Sequence, residues 1–271
     1  MKKTMQEYNN TDRQLHWLSQ LIAKVNKAFV TEKTDDSHTN LYYDPVGDKL
    51  TGRWIESPQG EILFSLNLET MQFEWLDKTL KSQQAFTIFD KSIQQLEKDA
   101  ANYPAKFGME ADAVFKPLHF TIPDYGIKSI SEKDISEEGF AAWKFYRQLA
   151  NEVCHALPGY LQVEGEVRIW PHHFDTGIYA QLTDNLSIGF GLAMKDDMAG
   201  NAYFYLSAYK SSGSINYVDL PELSRGQWET GAWKGAILRL DEIPVDSIEQ
   251  AGKIVINFFK GAVRWLLNQN N

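Results

Sequence analysis

The sequence predicts an α+β fold, with antiparallel sheet and helices packed on one face of it. Three observations carry this. Apolar residues recur at the helical period of 3.6 in four stretches; short strand-like runs lie between them, broken by proline and glycine; and the order helix, strands, helix occurs at residues 11–102 and again at 136–268. With 271 residues, 43% of them hydrophobic and 13% aromatic, the chain can build one large core or two lobes without disulfide staples. It is read as a single α+β unit, 1–271, whose lobes 11–102 and 136–268 are joined by a connector, 103–135. The matching order suggests an internal pseudo-repeat, although no residue-level repeat accompanies it, and helix-meander-helix is also a common way to cover a sheet.

The first helix carries Leu15, Leu18, Ile22, Val25 and Phe29 on one stripe, with Asn10 and Thr11 as candidate caps. After the polar stretch from Thr31 to Thr39, the runs Leu41–Asp44, Leu50–Glu56 and Glu61–Asp77 read as an antiparallel meander punctuated by Pro45, Gly47, Pro58 and Gly60. Phe86, Phe89, Ile93, Leu96 and Ala100 restore the helical period and predict a second helix ending near Asn102, before Pro104. The connector has three prolines and one alternating run, Leu118–Ile122, which suggests a short strand. Ser136 caps a third helix with Glu137 and Glu138 at its positive end and Phe140, Trp143, Tyr146, Leu149, Val153 and Leu157 on its apolar stripe; Leu157-Pro158-Gly159 should stop it. Strands are predicted at Glu166–Leu182, interrupted at Pro171, and at Ser187–Met194, Ala202–Tyr209 and Trp233–Leu240. A last helix is expected to begin at Asp246, with Glu249 completing a capping box, and to bury Ile248, Ala251, Val255, Phe258, Ala262 and Trp265.

Composition excludes several functions. A net charge of −9 and no basic cluster beyond Lys2-Lys3 argue against nucleic acid as a partner. The single cysteine, Cys154, rules out an internal disulfide and a cysteine-based zinc cluster and fits a reducing compartment, so a cytoplasmic protein is expected. The opening MKKTMQEYNNTDRQ lacks the apolar run of a signal peptide, and no stretch reaches the length of a membrane span, so no membrane association is expected. No phosphate loop, G-x-S-x-G elbow or H-E-x-x-H occurs, and Gly189-Phe190-Gly191 lacks the third glycine of a dinucleotide fingerprint; no cofactor is expected. Cys154 and His155 are helix neighbours whose side chains diverge by about 100°, so they cannot pair as nucleophile and base, and Cys154 reads as a small buried hydrophobe.

Three features could form a site. In Pro171-His172-His173-Phe174-Asp175, an extended chain would place His173 and Asp175 on one face about 6.6 Å apart and His172 on the other. That spacing begins the two-histidine, one-carboxylate triad of non-haem iron enzymes, but no histidine follows His173, so a third ligand would have to be His16, His38, His119 or His155. A kink at Pro171 could re-aim His172 to the same side. The alternative is a polar sheet corner whose side chains satisfy backbone groups. Next, Ser187–Met194 alternates Ile188, Phe190, Leu192 and Met194 with Gly189, Gly191 and Ala193, and the following strand carries Tyr203, Tyr205, Ser207 and Tyr209 on one side. If the tyrosines flank the glycines, the sheet bears a hydroxyl-edged trough suited to a small ligand; otherwise the closing helix, with Phe258 and Trp265, fills that face. Finally, the loop Gly226–Gly235 holds Trp228, Glu229 and Trp233, which could lid a pocket or stack on a sugar, or pin the loop to the core. Lys195-Asp196-Asp197 reads as a hairpin turn.

The run Trp170-Pro-His-His-Phe-Asp175, with Ser187-Ile-Gly-Phe-Gly191, Leu220-Pro-Glu-Leu223 and Gly226-Gln-Trp-Glu-Thr-Gly-Ala-Trp-Lys-Gly-Ala-Ile-Leu238, resembles motifs of a family of uncharacterised bacterial proteins, and Leu15-His16-Trp17 is similar to the start of a broader bacterial group. The resemblance covers residues 165–240 best and implies a bacterial, cytoplasmic protein without implying a mechanism. The expected function is non-catalytic binding of a small ligand or partner at His172, His173, Asp175, Tyr203, Tyr205, Trp228, Glu229 and Trp233. The alternatives are a metal-dependent hydrolase or oxygenase using His173 and Asp175, and an interaction protein whose tryptophans form a dimer surface.

Overall fold

The structure, a computed structural model, describes residues 2–244 and 247–268. Its helices and its antiparallel strand pairs give the α+β class. Two compact units share the chain. An N-terminal unit comprises Asn10–Phe140 with Ile169–Phe174; a C-terminal unit takes the residues up to Asn9, Ala141–Arg168, and those from Asp175 onward.

In the N-terminal unit the strands are β1 (Tyr42–Asp44), β2 (Lys49–Thr51), β3 (Ile55–Ser57), β4 (Gly60–Asn67), β5 (Gln72–Asp77) and β6 (Ser82–Thr87). They pair in the order β1-β2-β4-β5-β6, with β3 also on β4. Helices α1 (Lys2–Phe29) and α2 (Ile93–Ala105) both meet the fully buried Trp75. Its indole lies 6.5 Å from the Phe29 ring and 5.6 Å from that of Tyr103, and its Nε1 donates to the Ala100 carbonyl at 3.0 Å. Around it Phe64, Phe73 and Phe86 stack across β4, β5 and β6. An indole with its one polar atom satisfied contributes a large apolar area at no desolvation cost.

The C-terminal unit contains most of α3 (Glu137–Leu161), then β8 (Asp175–Thr183), β9 (Leu186–Ala193), β10 (Tyr203–Lys210), β11 (Gln227–Thr230), β12 (Lys234–Arg239) and α4 (Ile248–Asn268); a short strand β7 (Arg168–Trp170) precedes the turn at Pro171. Strand order runs β11-β12-β10-β9-β8, so β12 is inserted between β10 and β11. The N-terminal sheet has no such insertion. The two sheets share the general order of elements and differ strand for strand.

Several boundaries depart from the sequence expectation. Helix α1 begins at Lys2 and runs through Asn10 and Thr11, because Met5 and Tyr8 extend its buried stripe and the Tyr8 ring meets Tyr146 edge-on at 5.6 Å; packing outweighs the capping preference of Asn10 and Thr11. The run 50–56 divides at Gly52, where a Cβ would meet the Asn26 side chain. The run 61–77 divides at an Asx turn in which Asn67 Oδ1 accepts from the Glu69 and Thr70 amides at 3.0 Å. Phe86 belongs to β6, and α2 starts only after Ser92, whose capping box with Gln95 fixes its N-terminus; the helix ends at Ala105, with Pro104 inside its last turn. Leu118–Ile122 forms no strand. Ser136 caps α3 by accepting from the Gly139 amide at 3.1 Å, and the helix continues past Pro158 to Leu161, ending where Gln162 turns left-handed at φ 57°. Gly226–Gly235 contains β11 and a hairpin instead of a loop. Asp246, the expected cap of the last helix, lies outside the described residues; Ser247 Oγ accepts from the Gln250 amide at 3.1 Å at the start of α4. Among the described residues no helix is long and apolar enough to cross a membrane.

The early start of α1 is directly testable. Tyr8 has no exposure, so Tyr8→Ala should cost about 3 kcal/mol in urea unfolding; an unstructured N-terminus would leave the midpoint unchanged.

Candidate functional site

The eight residues nominated from sequence divide between the units: His172 and His173 belong to the N-terminal one, and Asp175, Tyr203, Tyr205, Trp228, Glu229 and Trp233 to the C-terminal one.

Pro171–Phe174 is a turn, not extended chain. The Phe174 amide donates to the Trp170 carbonyl at 2.6 Å and the His173 amide donates to the same oxygen at 3.3 Å, while Phe174 takes φ 56°. A left-handed backbone is strained for a bulky aromatic residue and persists only where the surroundings impose it. They do so through α1. His16 Nε2 and Gln20 Nε2 both donate to the Pro171 carbonyl, at 2.9 and 2.8 Å, and the His16 ring stacks on Phe174 with centroids 5.2 Å apart. A carbonyl only accepts, so Nε2 of His16 carries a proton; Nδ1 is hydrogen-bonded with the Tyr125 hydroxyl at 2.8 Å. Burial, reinforced by the charge of Asp12 and opposed by Arg13, pushes the Tyr125 phenol up to about 12, which keeps it a donor.

The turn reverses the expected pairing. His173 and Asp175 do not alternate along one strand, whereas the rings of His172 and His173 come together with centroids 4.3 Å apart. Phe120 flanks His172 at 5.6 Å. Of the histidines considered as third ligands, three are engaged elsewhere: His16 holds the turn, His38 Nδ1 accepts from the Lys33 amide at 3.2 Å and His119 pairs with Asp36 at 3.3 Å; His155 is exposed on α3. Among the described residues no group of three His, Cys, Asp or Glu side chains could hold a metal ion. The ligand set required by a hydrolase or oxygenase built on His173 and Asp175 is therefore not assembled among them.

In the C-terminal unit the register places Gly191 opposite both Gly177 and Tyr205, and Gly189 opposite both Tyr179 and Ser207. Glycines and tyrosines therefore share one face of β8–β10. The opposite face holds Ile188, Phe190, Leu192, Phe204 and Leu206. On that side Phe259 of α4 meets Phe190 at 4.9 Å, and Cys154 of α3 points its thiol at the Phe190 carbonyl, 3.9 Å away. The expectation that α4 fills the glycine face is thus corrected: it covers the apolar face. What lies over the glycines is tyrosine and neighbouring strand. A Cβ on Gly177 would lie 2.6 Å from the Phe190 carbonyl and 3.1 Å from the Tyr205 hydroxyl, and one on Gly191 would strike the Thr176 carbonyl. Tyr205 reaches across this floor to donate to Asp175 Oδ2 at 2.6 Å.

Tyr203 donates to Asp196 Oδ2 at 2.7 Å, and Asp196 also holds the 195–200 turn by accepting from the Ala199 amide at 2.9 Å. Burial first, then the hydrogen bond and charge of Asp196 and the charges of Asp175 and Glu229, raise the Tyr203 phenol far above the ordinary tyrosine value. Burial and Asp175 do the same for Tyr205. Both remain neutral donors, and the Cys154 thiol, raised by burial and by Asp175, remains protonated.

The β11–β12 hairpin separates its aromatics. Trp228 pairs across from Ala236, on the helix-covered side; its ring meets Trp265 of α4 at 5.0 Å and its Nε1 donates to the Pro221 carbonyl at 2.9 Å. That indole pins the hairpin. Glu229, opposite Gly235, accepts from Gln227 Nε2 at 2.6 Å, and Trp233 packs against Ala199, Tyr203 and Ile237. Tyr179, not singled out from sequence, is 53% exposed, and Tyr209 is 50% exposed; their rings lie 6.0 Å apart. Alternation from Gly177 through Tyr179 was the signal for the former. An open groove of about 450 Å³ lined by Ala105, Met109, Glu110 and Lys116 involves none of the nominated residues. Compared with known proteins, the chain matches no family model, no curated protein and no solved structure.

Two outcomes follow. Gly191→Ala should destabilise by about 1–3 kcal/mol, read by denaturant unfolding, because backbone and not a flexible side chain blocks the added methyl. For Tyr125, the folded phenol titrates near 12 and the unfolded one near 10.0, so its stabilising share is present below pH 10 and is lost as pH rises toward 12. A thermal melt series across that window should show a shallower decline for Tyr125→Phe than for the wild type.

Proposed function

We propose that the protein is a non-catalytic binding protein and that its binding surface is the tyrosine face of β8–β10. One observation carries the reading. Tyr179 and Tyr209, about half exposed, stand 6.0 Å apart on the face that α3 and α4 leave to glycines and hydroxyls, with the Ser207 hydroxyl donating to that of Tyr209 at 2.9 Å. Rings with polar tips offer contact area at low conformational cost and accept ligands that have a flat apolar side and a hydrogen-bonding edge. The glycine floor is narrowed by Tyr205, so the surface suits stacking better than enclosure.

The groups that could supply chemistry support the same reading. The thiol is buried and protonated, two phenols are tied to carboxylates, and the nominated aspartate is the acceptor of one of them. The net charge of −9 disfavours a phosphate backbone as the ligand. The single cysteine and the motif resemblance support reading the chain as a bacterial cytoplasmic protein that binds a small molecule or a partner.

The test is a ligand-observed NMR screen of saccharides and planar metabolites, followed by titration of the double variant Tyr179→Ser, Tyr209→Ser. Binding that weakens at least about tenfold in the variant, with its melting temperature preserved, is the expected result. A screen without binders, or a binder indifferent to both substitutions, removes the proposal.

A further inference from the structure

An open sheet ends in strands whose outer N–H and C=O groups lack a neighbour, and folded proteins block such edges by covering, shortening or charging them. The N-terminal sheet closes one edge: beyond β1, Leu41 and Ile169 exchange two main-chain hydrogen bonds at 2.9 and 2.7 Å. In the C-terminal sheet the edge strand β11 is four residues long and carries Glu229. The other edge of the N-terminal sheet, β6, has none of these devices. Its sequence, Ser-Gln-Gln-Ala-Phe-Thr, contains no charge, proline or glycine; Ser82, Gln83 and Ala85 are exposed, and the register shift against β5 lies at its start. Among the described residues no hydrogen bond reaches the main chain of 83–87 from any element but β5.

Which groups face outward follows from alternation. The Ile88 amide donates to the Met71 carbonyl at 3.2 Å, in the register that pairs Thr87 with Gln72 and Phe86 with Phe73, so position 88 turns toward β5. In an antiparallel pair, residues whose main chain bonds the neighbour alternate with residues that face away; Phe86 and Gln84 therefore bond β5, and Ala85 and Thr87 point their N–H and C=O groups outward. We propose that this edge binds the β6 of a second copy of the chain, antiparallel and about a two-fold axis at Ala85, joining two N-terminal sheets into one. An open main-chain ladder fits an extended strand, and three features select the strand's own copy. With Ala85 on the axis, each Ala85 exchanges both main-chain bonds with its counterpart, and the side chains that meet there are methyl groups. Gln83 comes opposite Thr87 and Gln84 opposite Phe86, so no like charges face each other across the strands. The nearest exposed charges are Lys81 before the strand and Asp90 after it, and antiparallel pairing brings Lys81 of one copy to the Asp90 end of the other. Lys91, one residue further, is already paired with Asp99 at 2.6 Å. The proposal is independent of ligand binding at the tyrosine face.

The experiment is sedimentation equilibrium of the full chain from micromolar to millimolar concentration, with amide hydrogen exchange followed residue by residue at both ends of that range. The weight-average mass should rise from one chain toward two. The Ala85 and Thr87 amides should exchange at least about tenfold more slowly at high concentration, while Phe86, already bonded within its own sheet, stays unchanged. Ala85→Lys, at an exposed position, sets two ammonium groups against each other on the axis and should weaken association at least about tenfold with an unchanged melting temperature. Ala85→Pro removes an outward donor that the chain's own sheet does not use, and it should abolish association. A single chain at every concentration, a dimer that survives Ala85→Lys, or protection at other residues in place of Ala85 and Thr87 would each overturn the proposal. Protection of those two amides only on adding an extended peptide of another protein would overturn it as well, by giving the edge a different occupant.

Discussion

The passage of β8 against β9 at Gly177 and Gly191 is the constraint on which the C-terminal unit depends. Neither position tolerates a Cβ, because backbone of the facing strand occupies its place. With no side chains there, Tyr205 can lie across β9 and meet Asp175 two strands away at 2.6 Å. The tyrosine in turn replaces the apolar contact that the glycines lack, the device by which an aromatic neighbour repairs glycine in a strand. Alternation does the rest: once the odd positions of β9 hold only Ser187, Gly189, Gly191 and Ala193, its even positions, Ile188, Phe190 and Leu192, are the ones that can bury apolar area, and α3 and α4 are drawn to that side.

The Pro171 turn balances a different pair of quantities. Holding Phe174 left-handed costs about 1–3 kcal/mol. Each buried hydrogen bond returns about 1 kcal/mol, and leaving a buried carbonyl unpaired would cost about 1–3 kcal/mol. Two donors on Pro171 O, two amides on Trp170 O and the stacked His16 ring are together large enough to hold the strained conformation. His16, which by residue type alone could be a metal ligand, is thereby committed to structure, and the proton on its Nε2 follows from the carbonyl it faces. The outward histidines are adjacent because the inward residues are tied.

Much of this was legible in the sequence, and the limits have physical causes. Alternation in Ser187–Met194 and Ala202–Tyr209 showed which residues share a face, since a period of two survives any sheet environment. It could not show which face the helices take, and the helices took the other one. The kink at Pro171 was legible from proline chemistry, and with it the chance that His172 and His173 would come together; the donors that fix the turn come from Gln20 and His16, some 150 positions away, and no local signal announces them. Trp228 and Trp233 looked alike between glycines. Only the pairing of Trp228 with Ala236 separates a tryptophan that pins the hairpin to α4 from one that packs on the tyrosine side. Asn10 and Thr11 misled because capping preference is worth about 1 kcal/mol, less than a buried Tyr8.

The distribution of polar groups bears on binding against catalysis. A catalytic acid or base needs a proton that can move near neutral pH, which means a carboxylate or phenol shifted toward that range and open to substrate. Here the buried phenols are shifted away from it, upward, by burial and by carboxylates that accept their hydrogen bonds. Tyr203 with Asp196, and Tyr205 with Asp175, are hydrogen-bonded pairs in which the carboxylate holds the phenol in its neutral, donating form, and they tie β10 to its neighbours on that face. The exposed rings of Tyr179 and Tyr209 stand on that shaped face. On the binding reading proposed above, hydrogen-bonded pairs beneath accessible aromatic rings would lower the cost of association, since the entropy of ordering that face would be met in folding.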